Sequence, residues 1–166
     1  STTAALAMGD ALAIAVLQAR GVDEQDFARS HPGGVLGRRL LVYVEAIMRI
    51  EDNVPVIAAT ESIKAAIIEM SRIGMGMTSV VDSNGRLVGI FTDGDLRRIL
   101  DQDINLKSTP VSEVMTQSPV TTAAGVLAAE LVSLMRDNKI QQIVVLQDDK
   151  PVGAINMQDM FRAGIV

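Results

Sequence analysis

The sequence has 166 residues, 48% hydrophobic and 21% charged, which fits one ordinary domain or two small ones and excludes a disordered chain. A net charge of −5 and 2% aromatic residues argue against a nucleic-acid surface. With no Cys and one His, disulfides, thiol catalysis, cysteine metal sites and multi-histidine zinc sites are excluded, and the core falls to Val, Ile, Leu, Met and Ala.

The first predicted element is a helix over residues 4–19. Ala recurs seven times in it, among Leu6, Met8, Leu12, Ile14, Val16 and Leu17, and Asp10 is its only charge. A helix apolar all round expects burial on every side. The chain is therefore expected to be a fragment, with this helix the last part of a missing domain; the alternative is a helix buried in an oligomer interface. No basic stretch precedes the apolar run, and residues 11–17 are too short to span a membrane, so a soluble, cytoplasmic protein is expected. Next comes His31-Pro32-Gly33-Gly34, which taken alone reads as a turn preceded by a surface histidine.

The remaining elements repeat. Gly89-Ile90-Phe91-Thr92-Asp93-Gly94-Asp95-Leu96 lines up with Gly153 to Met160, 64 residues later, and Val80-Val81 with Val144-Val145. Val44-Glu45-Ala46-Ile47-Met48 resembles Val111 to Met115 at an offset of 67, so the spacing changes by three before the first helix of each copy. A strand is predicted around 54–57. An amphipathic helix follows, with Ile63, Ala66, Ile67, Met70 and Ile73 on one face. Strands over 78–81 and 87–91 are joined through Asn84-Gly85, a hairpin signal, and a helix starts near Asp93. After a linker over 103–110 the order returns: a strand around 120–121, a helix carrying Leu127, Leu131, Leu134 and Met135, two strands joined by residues 147–150, and a helix near Met157. Each unit of roughly 60 residues is small to stand alone, so the two are expected to share one core.

The motif Gly89-x-x-Thr92-x-x-Asp95 has two readings. As a ligand site, the Thr92 hydroxyl donates to a phosphate and the Asp95 carboxylate accepts from ribose hydroxyls. As local structure, Thr92 and Asp95 form a helix capping box. Arg97 and Arg98 either pair with an anionic ligand or lie on solvated helix surface near Asp101. Asp93, Asp95, Asp101 and Asp103 fit no calcium loop, and the scattered Met residues read as core filling.

Residues 43–166 resemble a tandem pair of cystathionine-β-synthase (CBS) domains. The likeness rests on Met48 with Gly89, Thr92 and Asp95, and on Met115 with Gly153 and Asp159. It implies an α+β fold of two βαββα units, over 43–104 and 111–166, with nucleotide clefts between them. In the family the Thr or Ser contacts phosphate, the Asp contacts ribose, and the first strand lines the base. These roles fall on Thr92, Asp95, Gly89, and Val54 and Val56, and in the second copy on Asn156 and Asp159. Asn156 stands where Thr or Ser is usual, which leaves Thr92 the better-equipped site.

Thr2-Thr3, Met8-Gly9-Asp10-Ala11-Leu12-Ala13, Asp26-Phe27-Ala28 and His31-Pro32-Gly33-Gly34-x-Leu36-Gly37-Arg38 are similar to the end of the sugar isomerase (SIS) domain in the D-arabinose 5-phosphate isomerase family. That resemblance makes residues 1–42 a helical SIS remnant and gives His31 an active-site role. It implies a parent enzyme interconverting D-ribulose 5-phosphate and D-arabinose 5-phosphate for Kdo and lipopolysaccharide synthesis. The family's other catalytic groups would lie upstream, so this chain alone is expected to be inactive. No metal or obligatory cofactor is implied. The implied partners are a regulatory CMP-Kdo or adenine nucleotide and further copies of the chain, as a CBS dimer within a parent tetramer, with no nucleic acid or membrane. A purely structural, oligomerising role is the alternative.

Overall fold

The computed structural model describes residues 1–21, 26 and 41–166, in two compact units, Ser1–Leu41 and Val42–Val166. In the first unit, helix α1 spans Thr2–Ala19, and the Ser1 hydroxyl caps it by accepting from the Ala4 N–H. None of its residues is buried. By length and composition alone α1 is apolar enough to cross a membrane, a test that core helices also pass. This corrects the shorter apolar stretch read from sequence, because the alanines carry the hydropathy through the whole helix.

The second unit runs β1 (Val56–Ala58), α2 (Ile63–Ile73), β2 (Met77–Val81), β3 (Leu87–Thr92), α3 (Asp93–Ile99), β4 (Thr116–Gln117), β5 (Thr121–Ala123), α4 (Ala128–Asp137), β6 (Gln142–Gln147), β7 (Lys150–Asn156) and α5 (Met157–Arg162). Two sheets form, in the orders β1-β2-β3-β4 and β5-β6-β7. The first three strands of one match the three of the other. β1 and β2 are parallel with Ile57 opposite Val80, β5 and β6 are parallel with Thr121 opposite Val144, 64 residues on, and each next pair is antiparallel.

Local chemistry sets the boundaries. Ser62 caps α2 by accepting from the Ala65 N–H, and Gly74 ends it at φ 66°, the left-handed conformation in which a β-carbon is costly. The β2–β3 turn is held by the Asp82 carboxylate, which accepts from the Asn84 and Arg86 N–H groups at 2.8 and 2.9 Å. Those bonds pull its pKa below the ordinary aspartate value. The matching turn in the second repeat places Asp148 and Asp149 at φ 51° and 62°, the two left-handed residues of a tight hairpin loop.

The expected single shared core is instead three clusters. Ile63, Ala66, Val80, Phe91 and Ile99 fill the first repeat, and Leu131, Met135, Ile143, Val145, Ile155 and Met160 fill the second. Val54, Met75, Met77, Val144 and Ala154 join the two. Met70, Met75, Met77, Met135 and Met160 are all buried, as core filling predicts.

The opening segments are exchanged. Val44, from the first copy, is fully buried in the second copy's cluster, while Val111, from the second copy, is fully buried in the first copy's. The backbone follows. β4, just after Met115, pairs with β3, and Arg49, just after Met48, bridges to Ala154 in β7 with bonds of 2.9 and 3.1 Å. Each repeat's opening turn thus completes the other repeat.

Candidate functional site

Both Thr/Asn-x-x-Asp motifs form capping boxes. At α3 the Thr92 hydroxyl accepts from the Asp95 N–H at 3.3 Å, and Asp95 Oδ2 accepts from the Thr92 N–H at 2.7 Å. Oδ2 also accepts from the Thr92 hydroxyl at 2.6 Å. At α5, Asn156 Oδ1 accepts from the Asp159 N–H at 2.9 Å, and Asp159 Oδ2 accepts from the Asn156 N–H at 3.3 Å. Asn replaces Thr here without loss because capping needs only an acceptor oxygen.

Each aspartate also reaches into the opening segment of the other repeat. Asp95 Oδ1 accepts from the Thr116 hydroxyl at 2.7 Å and from Arg98. Asp159 takes a two-pronged ion pair from Arg49, Nε to Oδ2 at 3.0 Å and Nη2 to Oδ1 at 3.2 Å. The third Arg49 nitrogen donates to the Ile73 carbonyl at 2.9 Å, at the end of α2. Thr116 and Arg49 occupy the same place in the two copies. One clasp is therefore neutral at its exchanged end and the other is charged.

The motif glycines belong to this exchange. A β-carbon at Gly89 would stand 2.6 Å from Met115 Sδ and 2.8 Å from the Thr116 carbonyl oxygen. One at Gly153 would meet Met48 Sδ and, at 3.2 Å, the Arg49 carbonyl. Glycine is required at both places so that the Met of the other copy can lie against the strand.

Two adjoining cavities lie between the repeats. One, of about 380 Å³, is lined by Gly76, Ile90, Thr92, Asp93, Gly94 and Arg97 from the first repeat and by Lys139, Ile140, Gln141 and Gln142 from the second. The other, of about 280 Å³, runs from Gly74, Met75, Gly76 and Asp93 to Gln141, Gln142, Asn156, Met157 and Gln158. Thr92 and Asn156 thus each border a cavity. Asp95 is fully buried behind Thr92, and Asp159 lies in the clasp with Arg49. Val54 is buried in the cluster joining the repeats and Val56 is 38% exposed; neither lines these two cavities. His31 lies outside the described residues.

Sequence reasoning missed Gly76, Lys139, Gln141 and Gln142. A signal existed in Gly74-Met75-Gly76, two glycines ahead of a strand. At Gly76 (φ 71°) a β-carbon would stand 2.8 Å from Asp93 Oδ2 and 3.0 Å from Gln142 Nε2, so only glycine lets both side chains converge across the cleft. Beside β1, Glu69 Oε1 accepts from the Val56 N–H at 3.4 Å, and Glu69 pairs with Arg72 at 2.7 Å. The Arg72 hydrogen bond holds the Glu69 carboxyl below the ordinary glutamate value.

Two matched α+β repeats with a cleft between them and a Gly…Thr/Asn-x-x-Asp strand end in each define the class. The chain belongs to the CBS domain family, whose model matches residues 44–102 and 111–165. Over its full length it is similar to arabinose 5-phosphate isomerase KdsD. The Pseudomonas aeruginosa protein is 52% identical over 167 residues and the Escherichia coli protein 45% over 166, each covering 100% of this chain. The chain spans about half the length of these curated relatives, 51% of each. Among solved structures, the CBS domain pair of protein MJ0100, in complex with 5′-methylthioadenosine and S-adenosyl-L-methionine, is similar over 73% of this chain and 94% of that solved chain, at 23% identity with a TM-score of 0.65.

Proposed function

We propose that this chain is the regulatory, nucleotide-binding CBS pair of an arabinose 5-phosphate isomerase, the enzyme that converts D-ribulose 5-phosphate to D-arabinose 5-phosphate on the route to Kdo and lipopolysaccharide. The similarity to KdsD over the whole length of the chain supports the parent activity. On this reading residues 1–42 are the tail of the SIS domain, His31 belongs to the parent's active site, and the chain alone does not turn over substrate. The parent is a cytoplasmic homo-oligomer, and its regulator is a nucleotide or nucleotide sugar, CMP-Kdo or an adenine nucleotide. The observation that carries the binding role is the cavity between the repeats, with Thr92 among the residues that line it. A ligand that spans both repeats changes how they meet, and any preference for one arrangement becomes a regulatory signal.

One observation favours the structural alternative. Asp95 is fully buried and accepts from the Thr92 N–H, the Thr92 hydroxyl, the Thr116 hydroxyl and Arg98, so its carboxylate is already satisfied without a ribose. Differential scanning fluorimetry of the 166-residue chain with CMP, CMP-Kdo, AMP and ATP separates the readings. A rise in melting temperature with one of these supports regulation by ligand. No shift with any of them, from a chain that still self-associates in sedimentation, supports a purely oligomerising module.

A further inference from the structure

The exchange of opening segments makes Arg49 part of the second repeat's body, where its main chain pairs with Ala154 and its guanidinium with Asp159. One guanidinium nitrogen leaves that body. It donates to the Ile73 carbonyl at 2.9 Å, at the end of α2 in the first repeat. Also near the end of α2, Arg72 donates to the carbonyl of Asp52, which follows Arg49 in the chain, at 3.0 Å. These ties close one edge of the cleft. Ile73 runs into Gly74, Met75 and Gly76, on one wall of the cavity of about 280 Å³, and Asp159 caps Asn156, on the facing wall.

The other edge has no such ties among the described residues. Thr116 stands where Arg49 does, and its hydroxyl stops at Asp95, inside its own body. Arg136 matches Arg72 but turns to Ser133 and Asp137 of its own helix. A third bond between the repeats is one-sided too. The Leu87 N–H donates to the Asp149 carbonyl at 2.9 Å, whereas the counterpart of Leu87 is Pro151, which has no N–H to give back. The rest of the seam is the apolar cluster around Met75, Met77 and Val144. Apolar contact is non-directional, while a hydrogen bond fixes distance and angle. A seam bonded along one edge and apolar elsewhere turns about the bonded edge.

We propose that Arg49 is the pin of a hinge between the repeats: the edge from Ile73 to Asp159 stays closed, and the edge between Arg97 and Lys139 opens and shuts. The two cavities then differ in kind, the smaller fixed in shape and the larger variable. The hinge is a property of the free chain, so it stands or falls separately from the nucleotide reading.

Double electron–electron resonance tests it, and the absence of Cys leaves the 166-residue chain open to paired nitroxide labels. One pair, Ser71→Cys with Gln158→Cys, spans the bonded edge. The other, Arg97→Cys with Lys139→Cys, spans the free edge, and all four positions are exposed. The distance distribution of the second pair is expected to be about twice as wide as that of the first, or wider. Arg49→Lys removes the pin alone. Its ammonium keeps a charge against Asp159 but lacks the width of the guanidinium that spans Asp159 and the Ile73 carbonyl. It widens the first pair to the breadth of the second and leaves the second as it was. Equal widths in the parent, or an unchanged Ser71–Gln158 distribution in the Arg49→Lys chain, overturns the hinge. The parent comparison needs no change at position 49, so it decides the proposal even where Arg49→Lys does not fold.

Discussion

Replacing Gly89 by Ala tests the exchange of opening segments at its tightest point. The new methyl group would stand 2.6 Å from Met115 Sδ and 2.8 Å from the Thr116 carbonyl oxygen, where ordinary contact begins near 3.4 Å. The sulfur ends a flexible side chain and can swing away. The carbonyl is backbone, in a strand paired to β3 through Gly89–Gln117 and Ile90–Thr116, and it retreats only if that pairing opens. Overpacking of this kind costs about 1–3 kcal/mol. Gly153→Ala meets the Met48 sulfur too, but the nearest carbonyl, that of Arg49, is 3.2 Å away and needs to yield only a few tenths of an ångström. The two sites therefore separate in double-mutant cycles read by urea unfolding of the 166-residue chain. Met48→Ala relieves Gly153→Ala, with a coupling of about 1–2 kcal/mol, whereas Met115→Ala relieves Gly89→Ala by less than about 0.5 kcal/mol. A Gly89→Ala chain as stable as the parent, or one fully rescued by Met115→Ala, would refute the seating of β4 against β3.

The clasps should also differ. Arg49→Ala leaves Asp159, 10% exposed, with a single backbone donor and a distant Arg162 at 4.0 Å, and is expected to cost about 2–4 kcal/mol. Thr116→Val leaves Asp95 with both Thr92 donors and Arg98, and is expected to cost about 1 kcal/mol; equal losses in urea unfolding would remove the distinction. Glu69 supplies a pH signature. Its folded pKa is lowered, so its contribution is complete above the unfolded value of about 4.3 and fades as pH falls through the folded one. The stability gap between the parent and Glu69→Gln should therefore be present at pH 6 and close as pH falls below about 4; a gap that does not change with pH contradicts the assignment.

The 64-residue offset made the repeat legible because the packed faces and strand ends of the two copies carry the same residue types. The Asn84-Gly85 turn and the helix starts at Asp93 and Met157 were legible because hairpin and capping chemistry is local. The exchange was not. Val44 and Val111 show the same apolar pattern whichever repeat they enter, and no local propensity records which partner a buried side chain meets. The motif glycines were visible in the sequence, but their reason lies across the repeat boundary, in Met115 and Met48. The cleft was half legible. Thr92 was found through its motif, while Lys139 and Gln142 come from the other repeat and carry no motif of their own.

The exchanged turns make the unit a swapped dimer folded within one chain. Residues 42–104 alone would lack the Val111 plug of their own cluster and present Val44 with nowhere to insert it. The peptide joining the copies turns an encounter between two molecules into a closure within one, at an effective concentration of order millimolar. Substitutions are constrained accordingly. The volume at Met48 is set by Gly153 and that at Met115 by Gly89, so accepted changes should appear in pairs across the repeats and not within them.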